Sequence, residues 1–174
     1  MSRIGPIAWP LRAVAQEPGR IYRVAVVTTA GRDEPPTLAF LDELRDQGFV
    51  EGKNLEFVSG GFRFDNEHAA EVVPAIVKAA PDAIVSAGDF ITERFQQATK
   101  SIPVICMTED MVAAGFAASL ARPGRNITGI SLMSPDLDGK RQDILIEAVP
   151  DAHQIAILAD PNVATLDHLK ALET

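Results

Sequence analysis

The stretch Arg122-Pro-Gly-Arg-Asn-Ile-Thr-Gly-Ile-Ser131 divides the chain into two unequal parts. Pro123 cannot prolong a helix and Gly124 tolerates a left-handed exit, so the small-residue run Ala113 to Ala121 is expected to be a helix that ends there. Ile127 to Ser131 reads as a short strand leaving the turn. Upstream, strands and helices alternate. Downstream come one helix, one strand and one more helix. The stretch is therefore expected to close one α/β lobe and to open a second, which is cut short at Thr174.

Working outward, Val24-Ala-Val-Val27 is a continuous apolar run, as expected of a strand buried on both faces of a parallel sheet. A polar loop from Thr28 to Pro36 leads into Thr37 to Gln47, where Leu38, Leu41 and Leu44 recur at helical spacing and Gly48 stands at the C-terminal glycine position. Leu55 to Val58 reads as the second strand. Asp65 or Asn66 can cap the next helix, whose apolar stripe is Val72, Val73, Ile76 and Val77. Pro74 either kinks that helix or marks where it becomes regular. Ala83 to Ser86 is the third strand, Ile91, Phe95 and Ala98 give the third helix its inner face, and Val104 to Met107 is the fourth strand. This alternation predicts a doubly wound parallel α/β sheet with right-handed crossovers. The predicted divisions are 1–20, a leader-like segment, 21–135, a first α/β lobe, and 136–174, the start of a second. In the last, Leu137, Ile144, Leu145 and Ala148 suggest a helix and Gln154 to Leu158 a strand.

Composition sets bounds. The 174 residues carry a formal net charge of −8, which argues against a nucleic-acid surface, since phosphate neutralisation needs clustered Lys and Arg. No apolar run approaches the length of a membrane span. Cys106 is the single cysteine, so no internal disulfide forms, and inside an apolar strand it reads as a small hydrophobe rather than a nucleophile. His68, His153 and His168 show no metal-ligand spacing, and there is neither a dinucleotide fingerprint nor a phosphate-loop lysine. No catalytic residue, metal or cofactor is expected.

Ligands of open parallel sheets bind outside the carboxyl ends of the strands, where helix N-termini offer backbone N–H groups. The loops on that rim supply the candidate ligand-binding residues: Thr28 and Thr29, Gly61 and Phe64, Gly88, Asp89 and Phe90, Thr108, Glu109 and Asp110, and Ser131 and Met133. The hydroxyls suit polar contacts, and Phe64 and Phe90 can cover an apolar ligand body. Each is also an ordinary turn or cap residue, and adjacent carboxylates such as Glu109 and Asp110 are commonly a capping pair.

The segment Thr108-Glu-Asp-Met-Val-Ala-Ala-Gly-Phe-Ala-Ala-Ser-Leu-Ala121, running into RPGRNITGIS, resembles the substrate-binding proteins of ABC transporters with periplasmic-binding-protein type I architecture. Gly48-Phe-Val-Glu-Gly-Lys-Asn-Leu55, Ser101-Ile-Pro-Val104 and Ala148-Val-Pro-Asp151 before Ile155-Ala-Ile-Leu158 agree in order and spacing. The resemblance implies strand order 2-1-3-4-5, a non-enzymatic protein, capture of an amino acid or related small organic acid between two lobes, and docking on a membrane permease. It also implies export to the periplasm. Ala13-Val14-Ala15 resembles a signal-peptidase site, although the basic and apolar run that should precede it is missing. Three departures bear on the ligand: Asp110-Met111-Val112 stands where the family often has Asp-Pro-Val, Arg125 where it often has Gly, and Gly88-Asp89-Phe90 where it often has Thr-Pro. Asp89 would repel a ligand carboxylate or pair with an amine. Two rival readings are a stand-alone flavodoxin-like enzyme or signalling module, and a non-binding remnant that forms a homodimer through residues 136–174.

Overall fold

The computed structural model describes residues 19–58, 60–132, 134–151, 154 and 156. Its elements are β1 (Tyr22–Val27), α1 (Pro35–Asp46), β2 (Leu55–Val58), α2 (Ala69–Lys78), β3 (Ala83–Ala87), α3 (Asp89–Ala98), β4 (Val104–Thr108), β5 (Ile127–Ser131) and α4 (Ser134–Ala148). The five strands form one sheet in the order β2-β1-β3-β4-β5, with every neighbouring pair parallel. Val24 lies beside Phe57 of β2 on one side and Ala83 of β3 on the other, so β1 is an interior strand as its apolar run predicts.

Because side chains alternate along a strand, each strand sends every second residue to one face. On one face Ala25, Val27, Ile84, Val104, Cys106 and Ile127 are buried with Val73 and Ile76 of α2 and Ile91 and Phe95 of α3. This is the main core. The opposite face is unevenly covered. Val26 is buried, whereas Ile105, Met107 and Ile130 are 44%, 46% and 62% exposed. Register places Met107 beside Ile130, so these residues form an apolar strip across β4 and β5.

Local chemistry explains the boundaries. α1 begins with Pro35, whose ring presets the helical φ, and the Glu34 carboxylate takes the Gly31 N–H at 2.9 Å. Gly48 ends it in a left-handed conformation, with the Phe49 N–H bonded to the Leu44 carbonyl. Starting at Pro35, the helix turns Thr37, Phe40, Leu41 and Leu44 inward, so Leu38, expected inside, is 47% exposed. In α3 the inner positions are Ile91, Thr92 and Phe95, and Ala98 is exposed rather than inner. Asp65 accepts the Glu67 N–H at 3.1 Å and caps the short turn before α2, which continues past Pro74 without ending.

The segment from Ala113 to Ala121 is not the helix its small residues suggest. Asp110 starts one turn by accepting the Val112 and Ala113 N–H groups, and Gly115, at φ +71°, ends it. Phe116 and Ala117 then bury against the core, and the Phe116 and Ala117 N–H groups both bond to the Met111 carbonyl. Burial of one phenyl ring outweighs helix propensity here. The Asn126 side chain closes the passage into β5, donating to the Ile102 carbonyl at 2.8 Å, while the Asn126 main-chain carbonyl takes the Val104 N–H. Ser134 opens α4, whose Leu137, Ile144, Leu145 and Ile146 are exposed. The strand expected at Gln154 to Leu158 and the leader-like segment lie largely outside the described residues.

Candidate ligand-binding site

The rim of the sheet is built by backbone pairing before any side chain enters. The Thr28 N–H bonds to the Gly61 carbonyl and the Phe64 N–H to the Thr28 carbonyl, which locks the loops after β1 and β2 together. A Cβ at Gly61 would lie 1.9 Å from the Val26 carbonyl oxygen, so only glycine permits this approach. Thr28 and Gly61 are therefore builders of the rim. The Thr28 hydroxyl is turned to the Ala30 N–H at 3.2 Å. Ser131 is likewise structural, its hydroxyl lying 3.4 Å from both the Met111 N–H and the Glu109 carbonyl. Asp110 spends its carboxylate on the turn described above. Met133 lies outside the described residues.

The remaining candidates converge. Thr29, Phe64, Gly88, Asp89, Phe90, Thr108 and Glu109 all line one cavity of about 250 Å³ at the carboxyl ends of β1, β3 and β4. Asn66, Ala87, Ile91, Met107 and Leu132 complete the lining. Of these, Asn66 sits on the capping turn before α2 and carries no signal that separates it from an ordinary cap residue. A larger groove of about 470 Å³ runs between α2 and α3 and shares Asn66 and Phe90 with the rim cavity. It lies along two helix flanks, away from most strand ends, and the site is assigned to the rim cavity for that reason.

Two buried hydroxyls hold the turn into α3. Ser86 and Thr92 are 2.9 Å apart, and the Thr92 hydroxyl donates to the Gly88 carbonyl at 2.7 Å. The Gly88 N–H bonds to the Met107 carbonyl at 2.9 Å. The Gly88-Asp89-Phe90 turn is thus tied to both β3 and β4. Asp89 then reaches across to accept the Glu109 N–H at 3.1 Å. Burial pushes its carboxyl above the usual carboxylate range, the Glu109 N–H opposes this, and the charges of Glu109 and Asp110 add to the rise. Arg94 stacks over the Phe90 ring, 4.9 Å from its centre, which fixes the aromatic wall.

Thr108 is 1% exposed and carries, among the described residues, the one buried side-chain oxygen without a hydrogen-bond partner. Cys106, two residues back on the same strand face, is 2% exposed and its thiol is pushed up by burial, with the Thr108 hydroxyl acting in the opposite direction. An un-ionised, buried thiol is a poor nucleophile. Among the described residues no three His, Cys, Asp or Glu side chains converge as a metal site, and no helix is long and apolar enough to cross a membrane.

Residues 24–173 match the family described as ABC transporter substrate binding protein. The chain belongs to that family. A relative named tyrosine-binding protein, from Clostridioides difficile (strain R20291), is 27% identical over 121 residues, covering 68% of this chain and 34% of its own length. A conserved domain protein from Vibrio cholerae O1 biovar El Tor strain N16961 superposes with a TM-score of 0.71 at 27% identity, over 88% of this chain and 53% of that one. The L-Trp complex of an ABC domain from Streptococcus pneumonia shares the fold at a TM-score of 0.52 and 23% identity, over 64% of this chain and 38% of that one. The chain spans about a third of the curated relative's length and about half of the Vibrio protein's.

Proposed function

We propose that this chain supplies the first lobe of a solute-binding protein of an ABC importer, and that its solute is an amino acid or a related small organic acid. The observation that carries the reading is the convergence of seven rim residues on one cavity at the strand ends, in a family whose relatives include a tyrosine-binding protein. Capture rather than catalysis suits a cavity without an activated nucleophile or metal cluster among the described residues. In this reading the boundary between lobes falls near Ser134-Pro135, a second lobe closes on the solute by hinge motion, and the closed form docks on a membrane permease outside the cytoplasm. Melting curves of the 174-residue chain against a panel of amino acids and small organic acids test it. Stabilisation that saturates with one chemical class is expected, and a flat response to the whole panel at millimolar concentration contradicts it.

A second reading rests on the uncovered apolar residues of β4, β5 and α4. Exposed apolar patches of this kind mark interfaces. Those of α4 favour self-association through residues 136–174, with β4 and β5 adding apolar surface beside them, and light scattering on the same sample reads this as a doubled mass.

A further inference from the structure

Half of one sheet face is bare. Val26 of β1 is buried on the face opposite the main core, but on that same face Ile105 and Met107 of β4 and Ile130 of β5 are exposed. The Leu132 N–H bonds to the Thr108 carbonyl, so the ladder runs one residue past β5, and Leu132, in step with Ile130, is exposed as well. The strip is two strands wide, about 10 Å, and about 17 Å long at strand rise. One helix covers such an area. α4 has 15 residues, about 22 Å at helical rise, and a helix is about 10 Å across.

α4 is bare too. Leu137, Ile144 and Leu145 lie on one side of the helix by their spacing, and all three are exposed. Arg141 falls between them on that side, and an arginine stem lies readily on apolar surface while its head stays in water. Topology also matches this helix to this face. α2 and α3 occupy the main core face on the way across the sheet to β5, so a helix running back from β5 with right-handed winding belongs on the other face. Within one chain, however, helix and strip are bare at the same time, so the contact is not made in cis. A second copy carries the same helix and the same strip, and exchanging an identical element is a low-cost route to a dimer. Met107 and Leu132, at the carboxyl end of the strip, also line the rim cavity, so a helix seated there stands beside that cavity.

We infer that the bare strip of β4 and β5 is the seat of α4 from a second copy of this chain, given and received reciprocally, and that the exchanged helix walls the rim cavity on its Met107 and Leu132 side. The inference rests on the self-association reading and goes beyond it by naming the two surfaces that meet, α4 of one copy and the strip of the other. Each copy offers one helix and one seat, so the exchange closes at two copies and leaves no seat open for a third.

Light scattering on the 174-residue chain, with isotope-filtered cross-relaxation in a mixture of labelled and unlabelled copies, tests it. The expected result is a doubled mass and signal transfer from the Ile130 methyls of one copy to the Ile144 and Leu145 methyls of the other. Ile130→Glu, on the strip, and Ile144→Glu, on α4, should each weaken the dimer about tenfold or more, since each would bury an unpaired charge in the contact. Both side chains are exposed in the single chain, so neither change threatens its fold. Leu38→Glu, at an exposed leucine of α1, should leave the mass doubled. A dimer broken by Ile144→Glu and untouched by Ile130→Glu overturns the inference and leaves self-association through α4 standing. A single-copy mass at every concentration overturns both, as does a dimer indifferent to Ile144→Glu. Signal transfer between copies of the unaltered chain needs no variant, so it decides the matter even where a substitution lowers stability.

Discussion

At the scale of single residues, the amino-terminal ends of the interior strands β1 and β3 depend on Asp82. Its carboxylate accepts the Arg23 N–H at 2.8 Å and the Arg20 guanidinium at 2.6 Å, while its own N–H bonds to the Arg23 carbonyl at 2.7 Å. The Arg23 N–H is the chief cause that holds this carboxyl below its usual range, followed by Arg20. A carboxyl depressed in the folded state stabilises above its unfolded value, and that stability is lost as pH falls through the folded value. Asp82→Ala is therefore expected to cost about 1 kcal/mol at pH 7, a modest figure because both partners are largely solvated. The difference should close below about pH 4, where the unfolded aspartate takes up its proton. Denaturant melts at pH 7 and pH 3 check it, and an unchanged gap at both would refute it. Asp89 has the opposite sign: its raised carboxyl favours the protonated form, so its contribution falls as pH rises above the unfolded aspartate's value and through its own, a window above about pH 4. The place of Asp89 on the rim was legible in the sequence, since glycine followed by an acid after an apolar run marks a strand-end turn. The orphaned Thr108 hydroxyl was not, because satisfaction of a buried group depends on neighbours from other elements. The same limit holds for Thr28, Asp110 and Ser131: their strand-end positions place them on the rim, and the structure adds that their side-chain oxygens accept backbone N–H groups there, while Gly61 lies against the Val26 carbonyl.

At the scale of elements, β5 shows what the deciding stretch encodes. Gly129 pairs with Cys106, and a Cβ there would fall 1.8 Å from the Cys106 carbonyl oxygen. Gly129→Ala should force β5 away from β4 and cost about 2 kcal/mol or more, in line with large steric insertions into packed positions. Loss of amide protection confined to Ile127 to Ser131 and β4 would accompany it, and a stability within 0.5 kcal/mol of the unaltered chain, the usual range for surface substitutions, would contradict this placement. Element positions were readable because apolar runs, glycines and Asp65 punctuate the chain at strand and helix ends. The helix expected at Ala113 to Ala121 was not realised, since alanine content favours a helix while Phe116 gains more by reaching the core. Strand periodicity also conceals how well each face is covered. Val104 to Met107 is a continuous apolar run, yet Ile105 and Met107 are about half exposed. A strand's sequence reports what it can bury, and its neighbours decide what it does bury.

At the scale of the whole molecule, the sheet order β2-β1-β3-β4-β5 brings the turns after β1, β3 and β4 to one end, and the cavity follows from that order. The order itself came from the family resemblance and not from spacing, because a strand–helix alternation fits several windings. In the proposed reading, solute is received at the strand ends, between the turns carrying Thr29, Asp89 and Thr108, and not in the groove between α2 and α3. A half-site of this size is expected to bind in the millimolar range, equivalent to about −4 kcal/mol. The most direct measurement is an amide chemical-shift map of the isotopically labelled 174-residue chain titrated with L-tyrosine. The account predicts saturable shifts clustered at Gly88 to Phe90 and at Thr108 to Asp110. Shifts confined to Ala70, Val73, Arg94 and Gln97, which line the α2–α3 groove, would contradict it.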